Sequence, residues 1–215
     1  MDLPEDYKRG FKEFLGVTVD LSKRPLIPRD ETEYWTSIVI KEIKRGGRNF
    51  SCLDLFSGSG CVGLAVLKNT ANSSCDFGDV DEGFLEQVRI NLEGNDVSQE
   101  RYNIVKTDVF SAIKGTYDYI LANPPYVALN RLNEVGEDVK DFEPAIALYA
   151  GSDGMDCIKV FLKEAINFLN EGGKIFMEMD QSQKGEIEKI LVGRYSRFQF
   201  FKDQFNNYRF VVIEK

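Results

Sequence analysis

From residue 50 onward, short apolar runs alternate with longer segments of helical period, and no other feature of the chain restricts its fold so tightly. Strands are expected at 51–56, 74–80, 102–108, 117–122 and 174–179. Helices are expected at 60–69, 82–94, 154–169 and 183–192, with a further short one after Asp108. In the third of these, Ile158, Phe161, Leu162, Ala165 and Phe168 share one face. Residues 124–152 have no regular period, and Gly172 and Gly173 read as the turn before the strand at 174. Residues 198–201 and 208–213 read as a strand pair joined around Asn206 and Asn207. Strands that alternate with helices pair in parallel through right-handed crossovers. The expectation is therefore α/β: a doubly wound, mostly parallel sheet with an antiparallel C-terminal strand. Such sheets bind ligands beyond the carboxyl ends of their strands, where the strand order reverses.

Residues 1–49 differ in character and are expected to form a helix and hairpin arm, leaving 50–215 as the α/β domain. Residues 4–14 suit one short amphipathic helix, and the alternation of Val17, Val19 and Leu21 within 14–27 suits a small hairpin or an extended arm. Asp30 and Glu33 have capping-box spacing ahead of Ile38, Val39 and Ile43, so Asp30 is expected to cap the next helix.

Composition narrows the chemistry. Among 215 residues there is no histidine, which excludes Ser-His-Asp and Cys-His catalysis and imidazole proton shuttling. No metal site is expected. Cys52, Cys61, Cys75 and Cys157 form no C-x-x-C pair and read as reduced core or near-core thiols. The net charge of -8 runs against the basic stripe that a protein gripping nucleic acid usually carries, so nucleic acid is not the expected partner. No apolar run approaches the roughly 18–20 residues needed to cross a bilayer, and the first ten residues resemble neither a secretory signal nor a transit peptide. A cytoplasmic location is expected.

Four strand ends carry candidate chemistry. After the first lies Asp54-Leu55-Phe56-Ser57-Gly58-Ser59-Gly60-Cys61-Val62-Gly63. Gly58 and Gly60 allow tight turning and close approach of backbone to ligand, and Gly63 lets helix and strand pack closely. Amide groups at that helix start can face an anion. Asp79 ends the next strand, about 20 residues beyond the first glycine, where a carboxylate can accept from ribose hydroxyls. Strand register favours Asp79 over Asp81, for which a helix cap is the plainer role. These features suit a nicotinamide dinucleotide as well as S-adenosylmethionine. Asp108, at the third strand end, could accept from an adenine amino group or cap a helix.

The fourth strand ends in Asn123-Pro124-Pro125-Tyr126. An amide or exocyclic amine is a weak nucleophile because its lone pair is delocalised. The Asn123 side-chain oxygen and the Pro124 carbonyl can accept both of its N–H bonds, aim the nitrogen and favour its pyramidal form as charge develops. Two prolines stiffen that arrangement, and Tyr126 offers a ring on which a planar group can stack and which favours a nearby cation. An NAD-binding or non-catalytic module would leave this motif without a purpose.

With these motifs in place, the chain resembles the class I S-adenosylmethionine-dependent methyltransferases, and more closely the HemK/PrmC family. That family methylates the side-chain N5 of the glutamine in the Gly-Gly-Gln motif of peptide-chain release factors. The resemblance runs from about Pro25 to the end: Ile27-Pro28-Arg29-Asp30-Glu31-Thr32-Glu33, Glu143-Pro144, Ala147-Leu148, Gly151-Ser152-Asp153-Gly154, Glu178 with Gln183, and Asp203 with Arg209. It implies a Rossmann-like fold, S-adenosylmethionine as methyl donor and a release factor as substrate. It implies cofactor contacts from Phe56, Ser57, Gly58, Ser59, Gly60, Asp79, Asp108 or Val109, and Asn123. The acceptor glutamine would be held by Asn123, Pro124, Pro125 and Tyr126, with Asn123, Pro124 and Tyr126 serving catalysis. Arg29, Glu31 and Glu33 either shape the site or cap and pair a helix.

The sequence departs from the family pattern at Phe56, where glycine is common, and at Asp180, which replaces a usual glycine. Only about 25 residues precede the matching arm, where the family commonly has a helical domain; docking is then expected to be reduced, differently built, or supplied by an activator or docking subunit. A DNA or RNA methyltransferase acting on adenine N6 or guanine N2 is the alternative, since an exocyclic amine is planar too.

Overall fold

A computed structural model describes residues 2–47 and 49–215; Met1 and Arg48, both within the expected arm, lie outside the described residues. The chain begins with α1 (Glu5–Arg9) and a hairpin of β1 (Phe11–Phe14) and β2 (Val17–Asp20), followed by α2 (Asp30–Gly46). The α/β unit then runs β3 (Phe50–Leu55), α3 (Cys61–Asn69), β4 (Ser73–Asp79), α4 (Glu82–Gly94), β5 (Tyr102–Lys106) and β6 (Tyr117–Ala122). It closes with α5 (Glu137–Phe142), α6 (Ala145–Leu148), α7 (Asp156–Glu164), β7 (Leu169–Glu178), α8 (Lys184–Leu191), β8 (Arg197–Lys202) and β9 (Tyr208–Glu214). The seven-stranded sheet has the order β5-β4-β3-β6-β7-β9-β8, and only the pairs involving β9 are antiparallel. From the interior strand β3 the chain moves outward to β5, then returns to β6 on the other side, so the switch point lies between β3 and β6.

Alternate residues of each buried strand feed opposite faces, as the pleat requires. Cys52, Leu121, Phe176 and Phe210 pack with α2, α3, α4 and the hairpin. Leu53, Leu55, Ile120, Ala122, Ile175 and Met177 pack with α7 and α8 on the other face. Hairpin and α2 residues such as Phe14, Val19 and Trp35 belong to the same apolar cluster as Leu64 and Val88, so the arm shares its core with the sheet. Each such side chain stabilises the fold by about 1.5–3 kcal/mol when fully buried.

Several expectations need correction. The helix expected over 4–14 ends at Gly10, which adopts φ 80°, and Phe11–Phe14 pairs with Val17–Asp20 instead. Burial of Phe14, Val17 and Val19 in the core outweighs the weak helical pattern. Asp30 is the first residue of α2 rather than its cap, and no capping box forms there. Glu33 instead accepts from the Leu15 N–H at 2.9 Å, and Asp30 pairs with Lys12 at 3.2 Å. The segment after Asp108 makes turns rather than a short helix. Gly172 and Gly173 lie inside β7, where the register against β6 shifts, rather than in a turn before the strand. The irregular stretch after Pro124 contains α5 and α6.

Candidate active site

The carboxyl ends of β3, β4 and β6 open on one cleft of about 690 Å³, part of it exposed to solvent. Phe56, Ser57, Gly58 and Ser59 form one wall, Asp79 and Val80 a second, and Asn123 and Pro125 a third. Leu26, Ile27, Pro28 and Arg29 of the arm close the remaining side. Gly60 sits behind the loop with φ 74°, and a Cβ there would meet Val88 Cγ2 at 3.1 Å.

The loop is held from beneath. Ser57 N–H donates to the Gly78 carbonyl at 3.1 Å, and its hydroxyl donates to the Asp54 carbonyl at 2.7 Å. Phe56 occupies φ 61°, a left-handed conformation that costs an ordinary residue about 1–2 kcal/mol and a glycine far less. The Phe56 ring compensates by packing 6.0 Å from that of Phe161. Gly63 is required by packing: a Cβ there would lie 2.5 Å from the Phe77 ring.

Two carboxylates sit under the cleft. Asp79 accepts from Gly58 N–H at 2.9 Å and from Asp81 N–H at 3.1 Å. Burial pushes its carboxyl above the ordinary range, against the pull of those amides. Asp81 accepts from Gly83 and Phe84 N–H groups at the start of α4, so it is the helix cap. Asp54 accepts from Gly63 N–H at 2.8 Å. Complete burial pushes its carboxyl up to about 8, with the charge of Asp79 adding to the shift and the Gly63 amide opposing it.

Asn123 is half-buried at the end of β6. Neither its carboxamide nor the Pro124 carbonyl is paired within the chain among the described residues. Tyr126 is turned away from this cleft. Its ring packs on the α7 side of the sheet, and its hydroxyl donates to Glu178 Oε1 at 3.0 Å. The other oxygen of Glu178 accepts from Thr32 Oγ1 and Trp35 Nε1, each at 2.7 Å. Burial pushes the Glu178 carboxyl up, and these three donors oppose the shift. Arg29 donates to Glu143 at 2.5 Å, and the second oxygen of Glu143 accepts from Ile27 N–H at 3.2 Å. That pair ties the arm to the segment after the Asn-Pro-Pro-Tyr loop.

The structure thus brings Phe56, Ser57, Gly58, Ser59, Asp79, Asn123, Pro125 and Arg29 to one cleft. Pro124, between the cleft-lining Asn123 and Pro125, is itself buried. Asp108 and Val109 line a separate shallow cleft with Ser111 and Cys157. Asp108 caps no helix, and its N–H donates to Ser111 Oγ at 3.1 Å. Glu33 serves the hairpin, and Glu31 lies 4.0 Å from Arg209, so neither reaches the cleft. Thr32, Trp35 and Ile146 were missed in the sequence. Helical period marks Trp35 as core, and only the tertiary fold places its N–H on Glu178.

A sheet of this order, with its cleft at the switch point and a glycine loop leading into α3, is that of a class I S-adenosylmethionine-dependent methyltransferase. The Methyltransferase small domain model matches residues 28–138. The solved fold is shared with the 16S rRNA N2 methyltransferase of T. thermophilus (TM-score 0.68, 19% identity, 95% of this chain and 49% of that one). It is shared also with the hMettl16 catalytic domain (TM-score 0.72, 14% identity, 94% of this chain and 76% of that one). Among curated proteins, the release factor glutamine methyltransferase of Streptococcus pneumoniae is 32% identical over 98% of this chain and 75% of its own length. That of Bacteroides thetaiotaomicron is 32% identical over 99% of this chain and 76% of its own length. The chain belongs to the release factor glutamine methyltransferase family. It is an N-methyltransferase with S-adenosylmethionine as methyl donor, which sets aside a nicotinamide-binding module. No helix among the described residues is long and apolar enough to cross a membrane.

Proposed function

We propose that this protein methylates the side-chain N5 of the glutamine in the Gly-Gly-Gln motif of a peptide-chain release factor. The observation that carries this reading is the pair of unengaged acceptors, Asn123 Oδ1 and the Pro124 carbonyl, beside a cleft floored by the glycine loop. A primary amide presents two N–H bonds, and these two oxygens accept both. S-adenosylmethionine supplies an electrophilic methyl carbon on a sulfonium. The chain's residues place the nitrogen in line with that carbon; as the N–C bond forms the methyl–sulfur bond breaks, S-adenosylhomocysteine leaves with the electron pair, and the excess proton passes to water. No histidine is needed, because preorganised acceptors rather than a base do the work.

The cleft fits the donor. Asp79 keeps lone pairs beyond those used by Gly58 and Asp81, which suits ribose hydroxyls. Cys61 and Val62 begin α3, and the N–H groups at that start, apart from the Gly63 N–H taken by Asp54, suit a carboxylate. Asp108 and Val109 line a separate cleft, so a part for them in holding the adenine rests on the family resemblance alone.

Labelled S-adenosylmethionine, offered with a release factor bearing Gly-Gly-Gln, the same factor with that glutamine changed to alanine, and bulk RNA and DNA, tests the reading. Label on the intact factor alone is the expected result. Label on nucleic acid alone would overturn it in favour of an exocyclic-amine methyltransferase.

A further inference from the structure

Asn123 and Pro124 are short of their own supports. Pro124 and Pro125 donate no backbone hydrogen bond, so the acceptor geometry depends on what fixes the two ends of the loop. The leading end is β6, whose Ala122 is in register with Leu55 of β3 and Met177 of β7. The trailing end is Tyr126, and its carbonyl accepts from Gln183 Nε2 at 3.0 Å.

Gln183 is 4% exposed and fully engaged. Its Nε2 also donates to the Gly154 carbonyl at 2.9 Å, and its Oε1 accepts from Asp180 N–H at 3.0 Å. Two carbonyls and one amide can be served together in only one orientation of the carboxamide, so the side chain has no alternative flip. Gly154 presses on the same carbonyl from the other side: a Cβ there would lie 2.2 Å from Tyr126 O. Tyr126 is therefore gripped at its carbonyl by Gln183 and Gly154, and at its hydroxyl by Glu178. With both ends fixed and two proline φ angles set, little freedom remains between Asn123 and Tyr126.

The geometry points to Gln183 as the positioning residue of the catalytic loop: its carboxamide holds the Tyr126 carbonyl and thereby sets where Asn123 and Pro124 present their acceptor oxygens. The role rests on the proposed reaction for its kinetic consequence, but not for the clamp itself. Gln183 does not line the cofactor cleft, so donor binding and loop placement are separable.

Gln183→Met keeps the volume and removes all three bonds. Gln183→Glu keeps the acceptor for Asp180 and, when protonated, regains one donor for Tyr126. The full-length variants would be compared for kcat, for KM of the release factor, for S-adenosylmethionine Kd by calorimetry, and for hydrogen exchange at residues 123–129 and 54–63. Gln183→Met should lose about 10²-fold in kcat, the scale of an ångström-level misplacement. Its donor Kd should stay within about 3-fold of wild type, since a tenfold change would mean about 1.4 kcal/mol of lost cleft contact. Exchange should quicken at 123–129 and not at 54–63. Gln183→Glu should be more active than Gln183→Met at low pH, where the carboxyl can donate, and should lose that advantage as pH rises. Wild-type kcat and exchange in Gln183→Met would overturn the assignment. So would equal losses in kcat and donor affinity, or a Gln183→Glu profile parallel to that of Gln183→Met. Should the wild-type protein leave the factor unlabelled, the functional reading falls, and the exchange measurement alone decides the clamp.

Discussion

In the proposed reaction, individual side chains divide the work between holding the donor and aiming the acceptor, with Asn123 and Asp79 on opposite sides of that division. Asn123 belongs to the second task, because its carboxamide is left free while the strand behind it is fully paired. Asn123→Ala should lower turnover by about 10²-fold or more while leaving S-adenosylmethionine affinity largely intact, as expected for a contact made mainly to the reacting amide. Wild-type turnover in a single-turnover assay would remove Asn123 from the reaction. Asp79 belongs to the first task and also braces Gly58. Asp79→Ala should weaken donor binding by about 10- to 100-fold, the range of a hydrogen bond to a charged group. Calorimetry against S-adenosylmethionine reads this directly, and an unchanged Kd would place the ribose elsewhere. Phe56 shows how a residue can depart from a family pattern at a tolerable cost. Phe56→Gly relieves the left-handed strain but gives up the ring contact with Phe161 and adds freedom to the unfolded chain.

The elements show what a sequence can and cannot reveal. The strand ends bearing Phe56–Gly60, Asp79 and Asn123 were legible because glycines, an acid and Asn-Pro-Pro-Tyr mark where each strand stops, whereas β5 ends at Lys106, two residues before the expected Asp108. Strands β3, β4 and β6 lie within a residue of expectation; β3 and β6 carry apolar runs, whereas β4 is mostly polar or small and is marked by the helical segments on either side of it. The arm was less legible. Residues 4–14 carry a mixed pattern, and the left turn at Gly10 is decided by pairing with a strand that the local pattern does not announce. Glu33 has the spacing of a cap, yet it is claimed by the hairpin turn at Leu15, 18 residues away. The links that join α2 to the catalytic loop were invisible, because Thr32, Trp35 and Glu178 meet only across 143 to 146 residues of chain. Those links carry a prediction for α2 as an element. Glu178→Ala should strand the Trp35, Thr32 and Tyr126 donors in a buried site and destabilise the fold by about 1–3 kcal/mol for each group left unpaired. Urea unfolding should show a lower midpoint with an unchanged slope. A wild-type midpoint would mean that water replaces the carboxylate.

At the scale of the whole molecule, the arm, the glycine loop and the sheet form one packed body around buried carboxyls, and this sets how stability responds to pH. Asp54 lies beneath the glycine loop and is pushed up to about 8 by burial, against an ordinary value near 3.8. Asp79 and Glu178 are shifted in the same direction, also by burial. In the unfolded chain Asp54 releases its proton as pH rises through its ordinary range, whereas in the folded protein it keeps the proton until about pH 8. Folding therefore takes up a proton between these limits. The stability gained from the neutral Asp54 is fully present below the ordinary value, falls as pH rises, and is gone once pH passes about 8. Asp54→Asn retains an acceptor for the Gly63 amide but binds no proton, so its stability should fall less steeply over that window. The difference in slope should approach one proton's worth, about 1.4 kcal/mol per pH unit. Asp79 and Glu178 should leave a residual slope in the variant. Urea midpoints at pH 6 and pH 9, at constant ionic strength, test this. Identical pH dependence in the two proteins would mean that Asp54 is ionised in the folded state, its charge sustained by the Gly63 amide and by water reaching the cleft floor.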